Sequence, residues 1–265
     1  MPDVSSFPDG APCWADLNAP DLESSRRFYG AVLGWEFQDN GPEYGHYTMC
    51  LWKGKPVAAL MPPPPGAEGL APAWNVYLKT SDVDATIAKV EAGGGKIAMG
   101  PHDVPGAGRL AFAFDPQGAS FGLWQPGGHE GAQLYGEPGA MCWNEVYTTA
   151  GGAADAFYAG LFPYQQRQIG VDGGDFDYSV WTPQGADREV CGRLRSTDPA
   201  NELAAGGGSP FWAVYFAVAD VDETAKQIGA VGGSVLHGPF DSPYGRLCVV
   251  RDPSGAAFTV MTLAR

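Results

Sequence analysis

Cys13-Trp14-Ala15-Asp16-Leu17, followed by Phe28-Tyr29 and Trp35, recurs as Cys142-Trp143-Asn144-Glu145-Val146, followed by Phe157-Tyr158 and Tyr164, 129 positions further on. Working outward, Trp74-Asn75-Val76-Tyr77-Leu78 with Asp82-Val83-Asp84 returns as Trp212-Ala213-Val214-Tyr215-Phe216 with Asp220-Val221-Asp222. Asp115-Pro116-Gln117-Gly118 with Phe121 returns as Asp252-Pro253-Ser254-Gly255 with Phe258. A repeat this long is a whole folding unit and not a solenoid turn, so the chain divides into two homologous modules. The Gly- and Pro-rich stretch 126–139 separates them, giving 1–130 as module 1 and 131–265 as module 2. The 265 residues, 45% of them hydrophobic, suffice for one large core or two ordinary ones, and the repeat points to two.

Each module opens on a short strand, near Cys13 to Asn18 or Cys142 to Tyr147, where alternation puts Trp14 and Asp16 on one face, and likewise Trp143 and Glu145. Asp21 is a helix N-cap, Phe28, Tyr29, Val32 and Leu33 form an apolar stripe, and Gly34 ends that helix. Hairpins follow: Tyr44 to Trp52 with Lys55 to Met61, and Tyr178 to Thr182 with Arg188 to Arg193. The Pro62–Gly66 and Gly206–Gly208 tracts read as loops. A strand at Ala73 to Lys79 leads to a helix capped by Asp82; its copy is capped by Asp220, with Glu223 completing a capping box. Two last strands, near Arg109 to Phe114 and Ala119 to Trp124, flank the Asp-Pro-x-Gly turn.

A formal net charge of -14 repels phosphates, so nucleic acid is not an expected partner. The start, Met1-Pro2-Asp3-Val4, lacks a basic and apolar leader, and no stretch reaches the roughly 20 apolar residues of a membrane span. A cytoplasmic protein, monomer or homodimer, is expected. Cys13, Cys50, Cys142, Cys191 and Cys248 show no CxxC spacing and are expected to pack as small hydrophobes. Nor do His46, His102, His129 and His237 show HxH or HxxxH spacing. No Gly-rich loop joins a strand to a helix in the manner of a nucleotide site.

The order of opening strand, Phe-Tyr helix and late Asp-Pro-x-Gly hairpin resembles the vicinal oxygen chelate, or glyoxalase/bleomycin-resistance/extradiol-dioxygenase, superfamily over nearly the whole chain. The likeness is narrower to its actinobacterial tandem members, a group that includes hydroxylase-labelled and culture-filtrate-antigen proteins. It implies an α+β fold: two tandem modules built of βαβββ units, with curled mixed sheets around a cleft. It also implies metal-ligand positions on three strands, which fall here on Trp14, Asn75 and Gly122, and on Trp143, Ala213 and Thr259. Neither trio holds an imidazole or carboxylate, so no metal and no other cofactor is expected.

If both openings face one cavity, Trp14, Trp143, Tyr77 and Tyr215 line it and suit a small aromatic or apolar organic ligand; otherwise these rings fill a core. Asn75 and Thr259 add polar groups. Arg109 and Arg246, matched across the repeat, either clamp an anionic group or pair with surplus acids at the rim. Asp16 and Glu145 are the candidate catalytic acids, or else buried, hydrogen-bonded structural acids. The leading expectation is a metal-free binding protein for such a ligand. The alternative is an enzyme, either a cofactor-independent hydroxylase or isomerase using Asp16 or Glu145, or a metal-dependent glyoxalase-type lyase, which the missing ligands disfavour. A third alternative is a structural protein whose clefts are filled by its own side chains.

Overall fold

The computed structural model describes residues 6–63, 66 and 69–264, with 200 and 201 described by their backbone alone. The leader reading at Met1 to Val4 and part of the proline tract, Pro64 and Pro65, lie outside the described residues. Module 1 contains β1 (Pro12–Asn18), α1 (Leu22–Leu33), β2 (Glu36–Asp39), β3 (Thr48–Trp52) and β4 (Lys55–Met61). It then repeats that plan as β5 (Trp74–Lys79), α2 (Val83–Ala92), β6 (Lys96–Val104), β7 (Gly108–Phe114) and β8 (Ser120–Pro126). Module 2 runs β9 (Met141–Thr148), α3 (Gly151–Leu161), β10 (Tyr164–Gly170), β11 (Asp177–Pro183) and β12 (Cys191–Arg195). After the short α4 (Pro199–Glu202) come β13 (Phe211–Ala217), α5 (Val221–Ala230), β14 (Ser234–Ser242), β15 (Gly245–Arg251) and β16 (Ala257–Leu263).

Each module is one eight-stranded mixed sheet, ordered β2-β3-β4-β1-β5-β8-β7-β6 or β10-β11-β12-β9-β13-β16-β15-β14. The two opening strands, β1 and β5, pair antiparallel at the centre, with Trp14 opposite Tyr77 and Asp16 opposite Asn75. In the second sheet β9 and β13 do the same, with Trp143 opposite Tyr215 and Glu145 opposite Ala213. The sheet of module 1 bends until its two edges meet: Asp39 and Asn40 beside β2, and Pro105 to Ala107 beside β6, line one depression of about 570 Å³.

Local chemistry accounts for the helices. Asp21 accepts the Ser24 N–H at 3.0 Å, and Gly34 takes the left-handed conformation at φ 74° to end α1. Asp82 and Asp220 cap α2 and α5. The expected capping box is only half made, because the Glu223 carboxylate turns to Lys226 instead. The expected Tyr44–Trp52 strand begins only at Thr48. Pro42–Tyr44 forms a 3₁₀ turn, and His46 at φ 59° breaks the extended run. Four further strands, β2, β6, β10 and β14, escape the sequence reading. β6 and β14 carry Gly100-Pro101 and Gly238-Pro239, which read as breakers, yet both are edge strands with register shifts that leave the proline free of ladder duty.

The expectation of two separate cores gives way to one shared core. The helices of each sheet pack against those of the other module, α1 on α5 and α2 on α3. Phe28 and Tyr29 meet Phe258, Trp35 and Trp74 meet Phe216, and Phe121 meets Tyr158, so the largest apolar cluster spans both modules. The duplicated motifs are wired across this boundary. Trp74 donates to the Tyr29 hydroxyl (3.1 Å), which donates to Asp252 (3.2 Å) of the opposite Asp-Pro-x-Gly turn. Trp212, Tyr158 and Asp115 repeat the chain in the other direction, at 2.8 and 3.2 Å. Each aspartate's second oxygen accepts the N–H groups of its own turn. Among the described residues no helix is long and apolar enough to cross a membrane.

Candidate functional site: two carboxylates ringed by phenols

With the helices covering one face of each sheet, the other face forms a cup. Alternation along β1 and β5 sends Trp14, Asp16, Asn75 and Tyr77 there, while Trp74 and the thiol-bearing Cys13 turn to the helix side. Asp16, 1% exposed, accepts from the Tyr77 hydroxyl (2.7 Å), the Tyr47 hydroxyl (3.2 Å) and the Asn75 amide (2.9 Å). The Trp14 indole N–H donates to Tyr47 at 2.8 Å. Burial pushes the Asp16 carboxyl above its ordinary range against the pull of these donors. Burial and the neighbouring Asp16 charge push the Tyr47 and Tyr77 phenols up in turn.

Module 2 builds the same arrangement with different parts. Glu145 accepts from the Tyr215 hydroxyl and from the Trp143 indole (3.2 Å), which is shared with the Tyr178 hydroxyl at 2.8 Å. The Tyr147 hydroxyl lies 3.2 Å from the Tyr215 hydroxyl, and its ring stacks on Phe211 at 5.0 Å. Ala213 stands where module 1 has Asn75, so the amide donor is lost across the strand pair, and Tyr147, two residues along β9 from Glu145, joins the cluster through the Tyr215 hydroxyl. Burial again raises the acid. Thr259 sits buried beside Tyr215 in register.

The two cups differ in access. In module 1 the segment after β8 folds over the opening: His129 sets its ring edge-on to Trp14 at 4.5 Å, and its carbonyl accepts the Trp124 indole N–H at 2.8 Å. Trp14 is left 4% exposed, and burial pushes the His129 imidazole down, toward its neutral form. In module 2 Trp143 and Tyr147 stay partly exposed, and among the described residues no aromatic ring packs on Trp143.

Asp16 and Glu145 are each held by residues of their own module and do not meet. Arg109 and Arg246 take the rim role: Arg109 binds Asp84 (2.6 Å) and Asp103 (2.8 Å), and Arg246 binds Asp222 (2.8 Å) and Asp241 (3.0 Å). Those carboxylates hold both guanidinium pKa values up. The five cysteines are buried and unbridged, and the matched Cys13 and Cys142 thiols donate to the Tyr77 and Tyr215 carbonyls. Tyr47, Tyr147 and Tyr178 are site residues that sequence reasoning passed over. Tyr147 was accessible from its i, i+2 relation to Glu145; Tyr47 sits just before the third strand of module 1 and Tyr178 at the start of the third strand of module 2.

A divalent cation of the kind the superfamily implies does not fit these residues. Trp14 and Asn75 present donors already committed to Tyr47 and Asp16, and a side chain at Gly122 would begin 2.3 Å from the Tyr77 ring. Trp143, Ala213 and Thr259 offer no imidazole or carboxylate, and among the described residues no three His, Cys, Asp or Glu side chains cluster to hold a metal.

Comparison with known proteins follows the same fold. The chain is 40% identical over 265 residues to the Mycobacterium tuberculosis (strain CDC 1551 / Oshkosh) protein named "Putative glyoxylase CFP32", covering 98% of each. It is 38% identical over 274 residues to the anthracycline biosynthesis protein DnrV of Streptomyces peucetius, covering 98% of this chain and 96% of that one. Among solved structures, the Mn(II)-bound glyoxalase from Novosphingobium aromaticivorans superposes with a TM-score of 0.63 at 18% identity, over 96% of this chain and 83% of that chain. The 2,3-dioxygenase LapB from Pseudomonas sp. KL28 gives 0.65 at 13% identity, over 98% and 94%. Residues 13–123 and 153–260 match the sequence pattern of one family, so the chain belongs to the Glyoxalase/Bleomycin resistance protein/Dioxygenase superfamily.

Proposed function

We propose that this chain is a metal-free binding protein for a small, aromatic or apolar organic ligand, working in the cytoplasm as a monomer or homodimer. One observation carries it: on the strand of Trp143, one of the positions where the superfamily implies a metal ligand, the Glu145 carboxylate already accepts phenol and indole donors within an aromatic wall. Such walls hold flat molecules by stacking and area burial. The name of the Streptomyces peucetius relative adds fused-ring aromatics as the class to try first. Titration with 2-hydroxyanthraquinone, followed by tryptophan fluorescence, should give saturable binding that is unchanged by a chelator. A stoichiometric divalent cation in the purified protein, or binding lost on chelation, would overturn the proposal.

A second reading rests on the raised acids. A carboxylate whose pKa lies above the ordinary range is a better base once ionised, so turnover depending on Asp16 or Glu145 should rise with pH through that raised value. Asp16→Asn combined with Glu145→Gln should abolish such turnover, and unchanged turnover removes both acids from the mechanism.

A further inference from the structure

The direction of the hydrogen bonds around Glu145 limits what the second cup can recognise. A phenol has one hydrogen to give. Tyr215 gives its hydrogen to Glu145, and Tyr178 accepts from the Trp143 indole. Tyr147 is hydrogen-bonded to Tyr215, whose one hydrogen is already given to Glu145, so Tyr147 is the donor of that pair. Both hydrogens therefore end inside the cluster. What Tyr147 and Tyr215 turn toward the cup is oxygen lone pairs. Tyr147 presents them most openly, being partly exposed and stacked on Phe211 at the edge of the ring cluster.

We propose that the chain holds one ligand, in the cup of module 2, and that this ligand is a hydroxyl-bearing aromatic which donates its hydrogen to the Tyr147 phenol oxygen while its ring lies along Trp143 and Phe211. Module 1 is excluded from the count by His129, which covers the Trp14 face that Trp143 leaves open. An aromatic bearing only acceptors meets lone pair against lone pair and forfeits the polar contact, which costs more than leaving it in water.

This inference rests on the ligand-binding reading above, and a matched pair of probes separates the two. Calorimetric titration at pH 8 with 2-naphthol, whose hydroxyl keeps its hydrogen at that pH, should show one site per chain and an affinity about tenfold or more above that of 2-methoxynaphthalene, the worth of one hydrogen bond. Tyr147→Phe keeps the ring and its stack and should reduce that preference to about onefold, with the methyl ether still bound within about twofold of its original affinity. A methyl ether bound as tightly as the phenol, a preference that survives Tyr147→Phe, or two sites per chain would overturn the inference and leave the binding function standing. Failure of both probes to bind would remove the two together.

Discussion

Arg193 and Asp177 bring opposite charges into the interior of module 2 with 1% and 0% of their side chains exposed. Burial alone would raise the Asp177 carboxyl, but Arg193, the Gly173 N–H and the Gln168 amide outweigh it and hold the pKa well below the ordinary range. Arg193 is further held by Asp155, whose other oxygen accepts the Trp181 indole N–H. Arg193→Ala leaves Asp177 with Arg195, at 3.0 Å, as its remaining cation and should cost about 3 kcal/mol in denaturant unfolding. The sign with pH follows from the depressed value. The stabilisation from Asp177 is fully present above the unfolded carboxylate value of about 4 and is lost as pH falls through the folded one. Asp16 and Glu145, raised by burial, work in the opposite sense: their contribution is greatest in acid and is lost as pH rises through their folded values. Unfolding free energy of the parent should therefore drop more steeply below pH 4 than that of Asp177→Asn, and equal slopes would count against this assignment. At this scale Asp16 and Glu145 are legible in the sequence, because alternation on one strand decides the face a side chain takes. The contacts of Tyr47 and Tyr178 are not, since these phenols arrive from segments 31 and 33 residues away whose pairing no local pattern records.

Among the elements, α1 shows how far local rules reach. The cap at Asp21, the stripe through Leu33 and the stop at Gly34 are all present as the residues suggest. Gly34 has two reasons to be glycine. Its φ of 74° lies in the left-handed region, and a Cβ there would begin 2.7 Å from the Trp52 ring. Gly34→Ala should cost about 1–2 kcal/mol from the backbone alone, with a further loss where Trp52 must shift, seen as a lowered thermal midpoint. The edge strands resist such prediction. In β6 and β14 a Gly-Pro pair denies two residues to the ladder, and only the position at the sheet margin makes that tolerable.

Across the whole molecule, the two modules behave as one folding unit, because the apolar faces of their helices are each other's cover and the Trp–Tyr–Asp chains cross the boundary twice. Calorimetry should show one cooperative transition with matching calorimetric and van't Hoff enthalpies, and two resolved transitions would contradict a shared core. Tyr29→Phe leaves the Trp74 indole N–H and an Asp252 oxygen short of a partner and should cost about 1–3 kcal/mol, as should Tyr158→Phe at the mirrored position.

The sequence by itself determined the duplication, the opening strands, the caps of α1, α2 and α5, the absence of metal-ligand residue types at the superfamily positions, and the strand face of both acids. These are properties of short-range periodicity and residue chemistry, which each segment carries alone. Only the tertiary structure decided that Tyr29 answers Asp252, that one core serves two modules, that Asp16 and Glu145 occupy separate cups, and that His129 closes one of them. Periodicity states which side of an element is apolar and says nothing of what will cover it. That choice is made when sheets curl and helices from different modules find the same interface.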